Sequence, residues 1–178
     1  LVRVEDSFGK AMSFTYNEGG LLASLTDPSG AAYDYEYDGV GNLITVTYPS
    51  QSSDAVQRQY HYENTQFEHA LTGITDENGV RFSTYGYDSE GRAISTEHAG
   101  GVEKYTLTYG ANSSTLTDPL GEVRTFQYET IKGVRRGTGA SQPCPTCGGN
   151  ASASSTYDDN GFLTSRTDFS GITTTYIR

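Results

Sequence analysis

Two cysteines are the residues whose type and spacing point most directly to chemistry. Cys144 and Cys147 stand in "CPTCGG", a Cys-x-x-Cys knuckle whose glycines let backbone N–H groups face two thiolates. A structural zinc takes four ligands. The chain holds no second cysteine pair, and His61, His69 and His98 lie far off in sequence. A zinc would need its remaining ligands from elsewhere, for example from a second chain. A redox pair needs a strand-to-helix setting that lowers a thiol pKa, and the Gly/Ser-rich surroundings offer none. The pair reads as a local disulfide or as two idle thiols, the disulfide being favoured if the protein is exported.

Carboxylates are the next candidates. Asp-x-x-Gly occurs eight times, at Asp6–Gly9, Asp27–Gly30, Asp38–Gly41, Asp76–Gly79, Asp88–Gly91, Asp118–Gly121, Asp158–Gly161 and Asp168–Gly171. Calcium loops crowd several acids together, whereas these tetrads carry one or two each, so turn capping is the better reading. Nothing selects a carboxylate pair for glycoside cleavage, because the acids recur with the repeat. The histidines sit at unrelated repeat positions, His61 on the expected wet face between Tyr60 and Tyr62. No G-x-S-x-G elbow, G-x-G-x-x-G fingerprint or phosphate-binding loop is present. The sequence reads as non-enzymatic, with no cofactor.

Charge and composition narrow the partners. The 178 residues carry a net charge of −10, from 12 basic against 22 acidic side chains. Nucleic acid and anionic membrane surfaces both call for clustered Lys and Arg, so neither is an expected partner. The longest apolar stretch, "GLLASL", is far too short to span a bilayer, and no leader peptide opens the chain. Tyrosine (14) and glycine (21) are abundant and tryptophan is absent, a strand-and-turn composition with too many evenly spread aromatics for disorder.

The tetrads are the punctuation of a repeat. Gly9, Gly20, Gly30 and Gly41 follow at 11, 10 and 11 residues, and "NEGG" at 17–20 and "HAGG" at 98–101 keep the rhythm as looser copies. Two kinds alternate, one preceded by Tyr ("YDGVG", "YDSEG", "YDDNG") and one by Thr ("TDPSG", "TDENG", "TDPLG", "TDFSG"), giving a unit of about 20–22 residues. Asp first, Pro second and Gly fourth is the preference of a type I turn. The Asp carboxylate can accept from the backbone N–H two residues on, and Gly takes the left-handed conformation that closes the loop with a bulge. Each tetrad is expected to reverse the chain.

Between tetrads lie segments of period 2. "AAYDYEYD" puts Tyr33, Tyr35 and Tyr37 on one face and Asp34 and Glu36 on the other. Tyr60/Tyr62 and Phe126/Tyr128 repeat the spacing. That is the pattern of an antiparallel sheet with one wet face. Leu22/Leu25, Leu43/Val46 and Leu71/Ile74 are three apart, which a bulge just after the turn explains within segments too short for a helix. The tyrosine rows pack against one another in the sheet or present a surface to sugars or a protein partner. Two stretches break the rhythm: a polar loop at 49–56, and residues 131–156, read as a Gly/Ser-rich insertion loop carrying the Cys-x-x-Cys. The expected organisation is thus a repeat sheet over 1–130, the insertion at 131–156, and a further repeat at 157–178 continuing the same sheet. The chain opens and stops in mid-pattern and reads as a piece of a longer protein.

"YDGVGNLITVTYP", "YDSEGRAISTE" and "YDDNGFLTSRTDFSG" resemble the YD repeats of the RHS (rearrangement hotspot) family, whose unit reads roughly Y-D-x-x-G-R-L-x-x-x-T-D-x-x-G. The family's Arg stands only at Arg92, with Leu21, Asn42 and Phe162 elsewhere. The resemblance implies an all-β, antiparallel, spiralling sheet of hairpins that builds a hollow shell, of which this length could form only an arc. It also implies a structural scaffold around a toxin passenger in bacterial members, or an adhesive display in teneurin-like ones. Expected partners are then the remainder of the parent protein or other copies joined through sheet edges, in a secreted or surface location. A glycan-binding or protein-binding module and an edge-to-edge fibre are the alternatives.

Overall fold

The structure is a computed structural model and describes residues 1–50, 55–144 and 149–177, the side chains of 144, 149 and 150 excepted. Thr, Tyr, Val and Ile fill its extended segments, as pleated surfaces favour, and the protein is all-β. Internal contacts divide it into two compact units.

The first unit, Leu1–Arg92 with Glu97–Gly101, contains β1 (Arg3–Glu5), β2 (Ala11–Tyr16), β3 (Leu22–Thr26), β4 (Ala32–Tyr37), β5 (Leu43–Tyr48), β6 (Val56–His61), β7 (Gly73–Thr75) and β8 (Arg81–Tyr87). Each pairs antiparallel with the next in the chain. The second unit, Ala93–Thr96 with Val102–Arg178, starts in β9 (Ala93–His98). It continues through β10 (Tyr105–Tyr109), β11 (Ser113–Thr117), β12 (Val123–Ile131), β13 (Val134–Cys144), β14 (Gly149–Tyr157), β15 (Leu163–Thr167) and β16 (Thr173–Thr175), again antiparallel and in chain order.

Strands so ordered make one layer in each unit, and one layer buries little. Val46, 7% exposed, is the one buried hydrophobic side chain among the described residues. The aromatic face is half-covered by its own rows. Phe14 opposes Leu25, which opposes Tyr33, and the Tyr33 ring meets Tyr48 edge-on with centroids 6.1 Å apart. Tyr35, Val46 and Arg58 form the next row, and Tyr60, Ile74 and Ser83 another. In β4 the alternation is complete: Tyr33, Tyr35 and Tyr37 are half-buried, while Ala32, Asp34 and Glu36 are exposed. Cross-strand pairs of this kind each contribute roughly 0.2–1 kcal/mol.

The three-residue leucine spacing has a bulge behind it. Tyr16 faces Leu22 while Thr15 faces Ser24, so Ala23 is the extra residue; Tyr37 with Leu43 and Glu36 with Thr45 leave Ile44 over in the same way. The insertion keeps Leu22 and Leu25 on one face. Leu71 and Ile74 differ: Leu71 precedes β7, and the irregularity there falls in β8, at Phe82.

Residues 131–156 depart from the expected insertion loop. They hold the end of β12, all of β13 and most of β14, with Gly139 opposite Ser154 and Ser141 opposite Ser152. The turn joining β12 to β13 is Lys132-Gly133, both at positive φ (49° and 78°), the two-residue hairpin connection whose twist matches the strands it joins. Small residues carry a linker's composition. They nonetheless pair when a long neighbour such as β12 supplies a ladder, because the ladder bonds belong to the backbone.

Candidate functional site: the turns and the tyrosines that join them

Antiparallel hairpins in chain order send alternate connections to opposite ends of the strands. Within each unit the Tyr-type turns therefore share one edge and the Thr-type turns the other. All eight tetrads have one geometry. The Gly N–H donates to the Asp carbonyl at 2.8–3.2 Å, and the Asp N–H donates to the carbonyl of the residue after Gly at 2.8–3.0 Å. The Asp Oδ1 accepts two further backbone N–H groups, from the second and fourth residues on, at 2.8–3.0 Å. Asn17 fills the same place with its side-chain oxygen accepting from Leu21 N–H, and Gly20 N–H donates to its carbonyl. Every tetrad glycine has φ between 75° and 90°, where an L side chain is strained. The carboxylates that sequence offered as chemistry are thus spent on their own backbones.

That use shows in their titration. The Ser29 hydroxyl and then the Ala31 N–H hold Asp27 below the ordinary 3.8. The Val80 N–H does the same for Asp76, and the Arg92 N–H and guanidinium for Asp88. At Asp38 partial burial acts upward, and hydrogen bonds from the Asn42 N–H and amide outweigh it.

At three of the Tyr-type turns, and at Tyr109 before the reversal at 110–112, tyrosine has a job that spacing does not reveal. Its hydroxyl donates to a backbone carbonyl of the preceding repeat: Tyr16 to Leu1 (2.7 Å), Tyr87 to Leu71 (2.7 Å), Tyr109 to Ala93 (2.6 Å) and Tyr157 to Gly137 (3.0 Å). Phe would pack equally well and leave that carbonyl without its partner. The recurring choice of Tyr thus has a physical reason beyond packing.

Sequence reasoning passed over two further groups. Asn42, 8% exposed, holds Asp38, the Glu68 carbonyl and His69 at once; its one sequence signal is Asn in the slot where the repeat places Arg. Arg81 lies over Gly73, reaching Glu63 at 2.9 Å and the Thr72 carbonyl at 3.1 Å. A Cβ on Gly73 would come within 2.4 Å of that guanidinium, so the glycine there makes room for the arginine. The Arg81 side chain holds the Glu63 carboxyl below its usual range. On the aromatic face Arg58 pairs with Glu77 at 2.9 Å.

Cys147 lies outside the described residues, and Cys144 is described in its backbone alone, at the end of β13 opposite Gly149. His61 is half-buried, with its Nε2 2.8 Å from the Thr75 hydroxyl, and His69 is the Asn42 partner. The three histidines are not brought together. Among the described residues no group of three or more His, Cys, Asp or Glu side chains could hold a metal. Among those residues no helix is long and apolar enough to cross a membrane. Phe126, Tyr128, Tyr157 and Phe169 line a shallow groove of about 430 Å³ over Gly137, Gly139 and Ala140.

A family model for the RHS repeat matches residues 16–53. The chain is 30% identical over 128 residues to double-stranded DNA deaminase toxin A of Burkholderia cenocepacia (strain H111), which takes in 70% of this chain and 8% of that protein. Its fold is similar to part of a Photorhabdus luminescens Tc holotoxin pore, with a TM-score of 0.54 at 13% identity, covering 89% of this chain and 10% of that one. The chain therefore spans about a tenth of the length of the proteins it matches. With Tyr-type and Thr-type reversals alternating along an antiparallel ladder, and with these matches, the chain belongs to the RHS/YD-repeat family.

Proposed function

We propose that the chain is a structural wall: a non-enzymatic stretch of a bacterial RHS-type shell that encloses or presents a toxin passenger, acting as part of a longer exported protein. The observation that carries this reading is the use of each recurring polar group. Asp side chains close their own turns, the hydroxyls of Tyr16, Tyr87, Tyr109 and Tyr157 tie one repeat to the one before, and the layer has almost no buried core among the described residues. A layer of this kind supplies continuity and area rather than a reaction centre. The matches to a toxin and to a toxin pore support the choice of passenger class. The organisation that goes with it is a repeat wall over 1–130, resumed at 157–178, with the intervening hairpin part of the same construction. In this reading Cys144 and Cys147 are a local disulfide or two idle thiols, and the tetrads from Asp27–Gly30 to Asp168–Gly171 serve as turns alone.

The test is limited proteolysis of the full-length gene product. An enclosed passenger resists protease while the wall is intact and is cut when paired Gly30→Val and Gly121→Val changes open it. Equal cutting of the two forms would overturn enclosure. Selective glycan binding by the isolated chain, abolished by Tyr33→Ala with Tyr35→Ala, would favour the display reading instead.

A further inference from the structure

Along the Tyr-turn edge of the first unit the connections are 17–20, 38–41, 62–72 and 88–91. Three are tetrads or close copies of one. The connection between β6 and β7 is instead an eleven-residue strap, residues 62–72, standing where a tetrad is due. Its length lets it reach both neighbouring turns.

We propose that residues 62–72 form a clasp locking the turns at 38–42 and 88–91 into one rigid edge, with Asn42 and Gly91 as its two sockets. Toward the earlier turn, the Asn42 amide donates to Asp38 (2.9 Å) and to the Glu68 carbonyl (2.7 Å), which leaves its Oδ1 to accept from His69 Nδ1 (2.7 Å). Both donors of the amide are used, so the imidazole must carry its hydrogen on Nδ1. Toward the later turn, the Phe67 ring lies against Gly91, where a Cβ would stand 3.1–3.3 Å from three ring carbons. Gln66 also donates to the Ser89 carbonyl at 3.1 Å. The strap is braced by hydrogen bonds of its own. Asn64 Oδ1 accepts from Gln66 and Phe67 N–H, and Ala70 N–H donates to the Phe67 carbonyl. Its foot is fixed by Arg81 on Glu63 and Thr72 and by the Tyr87 hydroxyl on Leu71.

Two turns of the same chemistry therefore differ in what their glycine does. Gly20 and Gly91 share a φ of 77°, but nothing lies within 4 Å of a Cβ at Gly20. Alanine at either site carries the same backbone strain, and only at Gly91 does it push on the clasp. This is independent of what the wall encloses.

Hydrogen exchange on the intact chain tests the proposal. Gly91→Ala is expected to lower protection of the Gln66, Phe67 and Ala70 amides about tenfold, and Gly20→Ala less than about twofold. Asn42→Ala, though it does not touch the later turn, is expected to lower protection of the Gly91 amide about threefold or more. In a Phe67→Ala background that remote effect is expected to vanish. Should Asn42→Ala fail to fold, His69→Ala at the exposed side of the same socket gives the same reading. Strap amides indifferent to Gly91→Ala, or a Gly91 amide indifferent to Asn42→Ala and His69→Ala alike, would overturn the clasp.

Discussion

Removing one oxygen from Tyr87 tests whether the tyrosines are ties or merely packed rings. The hydroxyl donates to the Leu71 carbonyl at 2.7 Å from a half-buried position. Phe keeps the ring and its contacts, so the change isolates the hydrogen bond. A typical intramolecular hydrogen bond contributes a net of about 0.5–1.5 kcal/mol, and a half-covered carbonyl that water can reach belongs near the middle, about 1 kcal/mol. For a chain of this size that lowers the thermal midpoint by about 2–4 °C. The control is Tyr33→Phe in the same sheet, whose hydroxyl makes no hydrogen bond among the described residues. Urea unfolding of both variants and of Tyr109→Phe, whose hydroxyl reaches Ala93 in the second unit, gives the comparison. The expected order is Tyr87→Phe equal to Tyr109→Phe, both well below Tyr33→Phe in stability. The two hydroxyls reach different carbonyls, Leu71 and Ala93, so the double variant should show the sum of their losses. If all three lose the same amount within about 0.3 kcal/mol, the tie is refuted and the tyrosines are packing residues only.

The other turns give further expectations. Gly30→Val and Gly121→Val place a β-branched residue at φ of 88° and 83° and should each destabilise by roughly 1–3 kcal/mol in chemical denaturation. Asp27, Asp76 and Asp88 are held below the ordinary 3.8 by hydrogen bonds. Their contribution is therefore complete above that value and lost as pH falls through their lower folded values. Acid titration should show stability declining below about pH 4, and Asp→Asn at these positions should flatten the decline, Asn17 already filling the same role without a titrating group. Gly73→Ala should displace the Arg81 guanidinium at a cost of about 1 kcal/mol, and the Gly73→Ala, Arg81→Ala double variant should lose no more than the larger single loss. Additive losses would mean that the glycine does not make room for the arginine.

The parts of the fold legible in sequence are those whose bonds close within a few residues. A tetrad such as Asp118-Pro119-Leu120-Gly121 completes its hydrogen bonds between Asp118 and Glu122, so the letters carry the conformation. Alternation in "YDYEY" and the three-residue step in Leu22/Leu25 are local as well, the latter requiring one bulge per Tyr-type hairpin. The hairpin at 131–144 was concealed by composition. Lys132-Gly133 between Ile131 and Val134 is a two-residue turn signal, but the Gly, Ser and Ala that follow outweigh it in any reading by residue type, and the ladder that holds them is supplied by β12. Asn42 and Arg81 were hidden for a different reason. Their partners lie 27 and 18 residues away, at His69 and Glu63, distances at which a repeat pattern no longer says which side chain meets which.

The amino-acid sequence by itself determined where the Asp-x-x-Gly tetrads turn the chain, which residues of the strands between them face the aromatic side and which kind of tetrad stands at each edge, because each follows from bonding or sterics within one hairpin. The tertiary structure alone decided that the hydroxyls of Tyr16, Tyr87, Tyr109 and Tyr157 cap carbonyls of the previous repeat, that Gly73 is a slot for Arg81, and that the strap grips a turn on either side. Those contacts depend on how one repeat is laid beside the next, a displacement between strands that no stretch of consecutive residues encodes.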